Sequence, residues 1–140
     1  MTSSVDDIKL IENQVIESRG NNIFVYEPAN YFFEIKRIFT ISGKNIQTAN
    51  RGFHAHRTDL QIISCVNGSV SLTFRDGLHT REINLKSPDT YVYVPNYIWG
   101  ETKYLEENTV VVVYSSGEYD ERSYIRNYNE FLQIKENLLK

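Results

Sequence analysis

His54 and His56 are the residues of this chain best suited to do chemistry. They stand two apart, so on a β-strand both imidazoles leave the same face. Gln61 follows, and then Gly68 in an Asn67-Gly68 turn. Three uses of such a pair compete. In the first, both rings are satisfied by local hydrogen bonds on an ordinary strand. In the second they hold a metal, since neutral imidazole is a common ligand. Gln61 is a weak neutral ligand, however, and His79, beside Asp76-Gly77, is expected in solvent. Two histidines without a nearby carboxylate make a poor catalytic metal site. In the third, which the sequence favours, the pair does metal-free acid/base work. Two imidazoles in a polar, aromatic cavity move protons near neutral pH without large pKa tuning.

Positioning two rings on one face requires strands, and the rest of the chain is patterned for them. Turn signals recur at Ser18–Asn21, Glu27–Asn30, Ser42–Asn45, Val66–Ser69, Arg75–Leu78, Lys86–Asp89, Val94–Asn96 and Glu106–Asn108. Between them lie short runs rich in Val, Ile, Tyr, Phe and Thr, a spacing that predicts an all-β sandwich or barrel. Strands are predicted at Ile23–Glu27, Phe32–Ser42, Leu60–Val66, Ser69–Arg75, Thr80–Leu85, Tyr91–Val94 and Thr109–Ser115. Asn67-Gly68 reads as a two-residue hairpin turn and Asp76-Gly77 as a second. The continuously apolar run from Thr109 predicts a strand buried on both faces. From Tyr128 to Lys140 the period lengthens, with Phe131, Ile134 and Leu138 on one stripe, which predicts an amphipathic helix. The expected architecture is one domain, residues 1–140: a small β-barrel or jelly roll with a C-terminal helix.

Composition narrows the partners. The chain has 140 residues and a net charge of −3, from 15 Lys and Arg against 18 Asp and Glu. Mild acidity argues against a sequence-independent nucleic-acid binder, which needs a basic face. No run approaches the ~18 apolar residues of a membrane span. The first ten residues lack the basic region and apolar stretch of a signal peptide. A lone cysteine, Cys65, excludes an internal disulfide framework and fits a reducing cytoplasm. Ten Tyr, seven Phe and one Trp are the one excess, and such side chains suit both cores and wet sugar pockets.

The histidine pair with Gln61 and Gly68 resembles the first cupin motif, with Gln61 in place of the usual Glu; Ser87–Gly100 holds no histidine to complete a second. The block Arg51-Gly52-Phe53-His54-Ala55-His56 occurs together with Asp76-Gly77, Pro88, Trp99 and the tail Tyr119-Asp120-Glu121, Tyr124-Ile125-Arg126, Tyr128 and Phe131. That combination is similar to the dTDP-4-keto-6-deoxyglucose 3,4-ketoisomerases over roughly residues 8–135. Ser18-Arg19-Gly20 and Ile35-Lys36-Arg37 match as well. The resemblance implies a cupin-fold homodimer that moves a ketone from C4 to C3 of a nucleotide-linked deoxysugar through an enediol. It implies that His54 and His56 transfer the protons, that no metal or redox cofactor takes part, and that the product goes to a PLP-dependent aminotransferase making 3-amino-3,6-dideoxyhexoses for surface glycans or natural products. Gln61 is expected on the sugar. Arg51, with Arg19 or Arg37, is expected on the diphosphate, which suits a guanidinium fork. Trp99 is a candidate to stack on sugar or base, with core packing as the alternative. The tail is expected to be structural, its acids paired with Arg122 and Arg126 at the surface. Two positions depart from the family pattern: Gly100, where an imidazole or guanidinium is frequent, and Thr58-Asp59, where Lys or Leu is more common.

Three other functions compete. A deoxysugar 3,5-epimerase usually pairs one isolated histidine with an Asp and uses a Tyr acid. A non-catalytic sugar-binding cupin needs the aromatics and arginines but not both histidines. A metal-dependent cupin dioxygenase needs the ligands that Gln61 and the missing third histidine do not supply.

Overall fold

Strand alternation builds this molecule. The computed structural model describes residues 2–27, 32–43, 50–86 and 88–139. The turns expected at Glu27–Asn30, Ser42–Asn45 and Lys86–Asp89 fall wholly or partly outside them. In chain order the strands are β1 (Lys9–Glu12), β2 (Gln14–Ser18), β3 (Asn21–Val25), β4 (Arg37–Gly43), β5 (Asn50–His56), β6 (Gln61–Asn67), β7 (Val70–Arg75), β8 (Thr80–Leu85), β9 (Thr90–Val94), β10 (Trp99–Tyr104), β11 (Thr109–Ser115) and β12 (Tyr124–Ile125), followed by helix α1 (Tyr128–Leu138). One sheet has the order β1-β9-β6-β11-β4 and the other β12-β5-β10-β7-β8, while β2 and β3 form a separate hairpin. The two five-stranded sheets remain distinct rather than closing into one barrel, so the expected all-β fold takes its jelly-roll form. Among the described residues no helix is long and apolar enough to cross a membrane.

Val70, Leu72 and Phe74 of β7 are buried in turn, and their inward side chains join Val92, Val94, Val111 and Val113 of the first sheet in the main core. Burying such side chains is worth roughly 1.5–3 kcal/mol each. β11 was expected to be buried on both faces. Instead Val111 and Val113 are buried, while Val110, Val112 and Tyr114 on its other face are half-buried. Its apolar outer positions reflect its place between β6 and β4, where neighbours cover them.

The Asn67-Gly68 turn is corrected too. β6 pairs with β9 and β11, and β7 with β8 and β10, so the turn is a corner between sheets and not a hairpin. Gly68 has a positive φ of 79° and packs so tightly on Thr109 that a Cβ would clash with the Thr109 side chain. The β7–β8 connection is a true hairpin, but its loop spans Asp76 to His79. The Asp76 carboxylate accepts the backbone N–H groups of Leu78, His79 and Val5, tying the N-terminal segment to this loop. Burial alone would raise its pKa; the backbone donors more than offset that and lower it.

α1 starts where the sequence places it and ends at Leu138. The Asn127 side chain caps it by accepting the Glu130 N–H at 2.9 Å. Fully buried Phe131 packs with Tyr128 and Trp99 on the outer face of the second sheet, beside Ala55 and Ile125. The helix thus covers the back of the strand that carries the histidines.

Candidate active site

A cavity of about 240 Å³ lies between the sheets, and Arg51, Gly52, His54 and His56 of β5 all line it. Strict alternation places Arg51 and His54 on opposite faces, because they are three apart. A β-bulge removes the conflict. Against β10, His54 pairs with Gly100, Gly52 with Glu101 and Arg51 with Thr102, leaving Phe53 unpaired. Gly52 and Phe53 have positive φ angles of 86° and 54°. A Cβ on Gly52 would stand 2.8 Å from the Gly100 carbonyl oxygen, so only glycine fits.

The His54 and His56 rings meet edge to face, with centroids 4.9 Å apart. β12 lays Tyr124 against both, at 5.1 Å from His54 and 4.4 Å from His56. Arg126 stacks on Tyr124 at 4.3 Å and faces the same cavity. Glu121 holds that guanidinium with both oxygens, at 2.7 and 3.0 Å, and accepts the Tyr119 hydroxyl. The Arg126 contact pulls the Glu121 carboxyl down to about 2.

Both histidines are neutral at pH 7. Burial, then His54, Arg37 and Arg126, pushes His56 down to about 3. Burial lowers His54 as well; its hydrogen bond to the Gly52 backbone opposes this, and Arg126 and Arg51 add to it. The expectation of imidazoles that need no large pKa tuning is therefore corrected: burial holds both rings in the neutral form. Gln61 lies on the cavity wall with its amide nitrogen 3.2 Å from His56 Nε2. Tyr104, also on the wall, is buried and its hydroxyl has no hydrogen-bond partner. Among the described residues no group of three His, Cys, Asp or Glu side chains is arranged to hold a metal ion.

The structure therefore gathers Arg51, His54, His56 and Gln61. It does not bring the other three candidates to the cavity wall. Arg37 turns to Asp59 at 3.2 Å and lies over Phe39 and Tyr119. Arg19 is exposed at the tip of the β2–β3 hairpin, with a φ of 52° suited to the turn. Trp99 is in the aromatic cluster under α1, its indole N–H donating to Glu101 at 3.0 Å, so the core alternative is the one realised. The tail is half as expected. Asp120–Arg122 and Glu121–Arg126 are exposed pairs, yet Tyr124 and Arg126 also complete the site. The signal for this was present: Tyr124 and Arg126 flank Ile125, an alternation that puts both polar tips opposite the buried residue. Asp59, assigned no role from sequence, also lines the cavity beside His56, supplying the nearby carboxylate that had seemed missing.

Comparison with known proteins agrees with this geometry. The family model FdtA, described as WxcM-like, C-terminal, matches residues 6–136. A curated relative, the TDP-4-oxo-6-deoxy-alpha-D-glucose-3,4-oxoisomerase of Aneurinibacillus thermoaerophilus, is 37% identical over 118 residues, covering 84% of each chain. The crystal structure of QdtA, a sugar 3,4-ketoisomerase from Thermoanaerobacterium thermosaccharolyticum in complex with TDP, superposes with a TM-score of 0.89 at 27% identity, over 98% of this chain and 100% of that one. The TDP-quinovose 3,4-ketoisomerase WlaRB of Campylobacter jejuni gives 0.85 at 30% identity, over 92% and 99%. Epimerases at 13% and 17% identity share the fold alone. With the family match running almost end to end and the histidine pair facing the cavity, the chain belongs to the FdtA, WxcM-like C-terminal family of 3,4-ketoisomerases and is an isomerase.

Proposed function

We propose that this chain, as a single cupin-like domain of residues 1–140, converts dTDP-4-keto-6-deoxyglucose to the 3-keto-6-deoxyhexose. The observation that carries this reading is the pair of neutral imidazoles side by side on one cavity wall. One ring removes the C3 proton, the enediol forms, and a proton returns at C4. A proton α to a ketone is weakly acidic, so the developing enediolate oxygen needs donors as the base acts. The Tyr104 hydroxyl and the Gln61 amide face the cavity and meet that need. Arg51 and Arg126 carry the diphosphate, with Tyr124 beside them; Arg126 replaces the Arg19 and Arg37 expected from sequence. The chemistry requires neither a metal nor a redox cofactor.

The protein works as a homodimer in the cytoplasm. Ile38 is exposed on the outer face of the first sheet, and Val15, Ile16 and Ile23 are exposed on the β2–β3 hairpin. Ile16 and Ile23 face each other across the hairpin, and exposed apolar pairs of this kind favour burial against a second copy. A C3 ketone is the group with which a PLP-dependent aminotransferase condenses, so such an enzyme is the natural consumer of the product, on the way to 3-amino-3,6-dideoxyhexoses of O-antigen or S-layer glycans. Incubation with dTDP-4-keto-6-deoxyglucose and NMR of the product tests the reading. A carbonyl moved to C3 is expected; unchanged sugar, or inversion at C3 or C5 with the ketone still at C4, overturns it.

A further inference from the structure

His56 has a buried ring nitrogen, Nδ1, that makes no hydrogen bond, and the Asp59 Oδ2 lies 3.6 Å from it. On the other edge of the ring, Nε2 is 3.2 Å from the Gln61 amide nitrogen. An amide nitrogen only donates, so Nε2 must accept, and in a neutral ring the proton then sits on Nδ1. The Asp59 carboxylate is the acceptor within reach of that proton, at 3.6 Å from Nδ1.

Asp59 itself is fixed from several directions. It is 4% exposed, and its Oδ2 accepts from Arg37 at 3.2 Å and from the Ser115 hydroxyl at 3.3 Å. Its Oδ1 accepts from Thr58 at 3.2 Å and Ser123 at 3.4 Å. Gly117 completes the cradle, since a Cβ there would stand 2.5 Å from Oδ1. Donors come from β4, β11 and the loops before β6 and β12, so the carboxylate cannot swing away. Arg37 offsets its charge, which leaves Asp59 orienting His56 without forcing a proton onto it.

We propose that Asp59 is a positioning residue for His56, holding the neutral ring with its proton on Nδ1 and its Nε2 turned to the cavity as the proton acceptor. The inference rests on the ketoisomerase reading for its kinetic consequence but not for its structural one. Nε2 has one lone pair, so it takes a proton from the sugar once the Gln61 amide turns from it to the substrate oxygen, and the imidazolium then forms against a carboxylate already in place. The 3.6 Å gap is of the kind that tightens once substrate displaces water from a site. An acid behind a histidine does its work through tautomer and orientation, without accepting the proton itself.

The test is ¹⁵N NMR of histidine-labelled protein at pH 7, without substrate, with the exposed His79 assigned by His79→Gln. His56 is expected to show a protonated Nδ1 and an unprotonated Nε2. In Asp59→Asn the Nδ1 form should lose its dominance, and kcat on the keto-sugar should fall about 10²-fold with KM changed by less than about threefold. A wild-type ring protonated on Nε2 overturns the proposal. So does an Asp59→Asn protein that keeps both the wild-type tautomer and kcat within about twofold. If Asp59→Asn does not fold, the wild-type spectrum alone decides. The spectrum needs no sugar, so an inactive enzyme with the expected tautomer faults the substrate assignment and not the Asp59–His56 geometry.

Discussion

The inner and outer faces of the second sheet are made by the same strands and have opposite characters. Outward, Ala55, Trp99 and Ile125 are sealed under Phe131, and the one indole N–H has its acceptor in Glu101. Inward, one residue away along the backbone, His56 Nδ1 and the Tyr104 hydroxyl are buried without a partner. Leaving a buried polar atom unpaired costs about 1–3 kcal/mol. The well-packed outer face stabilises a fold that tolerates this deficit. At Tyr104, which lines the cavity, the deficit marks where a polar ligand belongs, because a molecule that satisfies the hydroxyl recovers its cost. In this sheet stability and chemistry are separated by strand parity rather than by region of sequence.

That separation can be broken from either side. The largest effect is expected on the inner face. His54→Asn or His56→Asn removes a proton-transfer group, and kcat should fall ~10²–10⁴-fold, roughly 3–5 kcal/mol of barrier. Nucleotide-sugar binding by calorimetry should persist, since Arg51 and Arg126 remain, and melting temperature should hardly move. Near-normal turnover in both variants would make the pair structural.

On the outer face the pattern inverts. Phe131→Ala leaves a cavity under α1 and should lower unfolding free energy by about 3 kcal/mol or more. Below the new melting temperature, kcat should stay near wild type. Urea denaturation alongside kinetics checks both halves; a large kcat loss in a folded Phe131→Ala protein would show that the two faces are coupled.

Acid sharpens the contrast. Both histidines titrate below the ordinary 6.5 when folded, His56 at about 3. The unfolded chain therefore binds more protons between those values, and stability falls as pH drops from about 6.5 toward 3. Each ring contributes at most about 1.4 kcal/mol per pH unit in that window. Unfolding curves at pH 7, 6 and 5 should show this slope, and His56→Asn should flatten it. A wild-type curve flat over that range contradicts neutral buried rings. The smallest expected effect is none: dialysis against a strong chelator should leave turnover unchanged, and activity lost to chelator and restored by zinc or iron would refute a metal-free reaction.

What the residues disclosed in advance follows from locality. Thr80–Leu85 and Thr109–Ser115 were legible end to end, because β-branched runs bounded by turn residues need no tertiary help. β10 was not legible. Gly100, Glu101 and Lys103 give it little strand character, and it becomes a strand because β5 and β7 flank it. The shared face of the histidine pair was readable from period two, and Gln61 from its spacing to the pair and to Gly68. The pairing of Arg37 with Asp59 was not legible, because Asp59 is contributed by a different sheet-to-sheet connection and charge pairing across the fold leaves no trace in spacing. Arg126 was set aside as a surface ion pair, and it is one; only the pairing of Tyr124 with His56 shows that it also lines the cavity.

The bulge at Gly52-Phe53 gives the strand a kind of parity bit. Every residue upstream of it is read out on the face opposite to the one a simple count assigns. Arg51 reaches the histidines' compartment only because one residue is skipped. Straightening the bulge, so that Phe53 pairs with β10 in register, would keep every side chain that lines the cavity, yet it would send the guanidinium and the imidazoles to opposite sides of the sheet. For a lineage drifting by insertions and deletions, losing the bulged residue leaves the parity unchanged, whereas gaining one more between Arg51 and His54 reverses it.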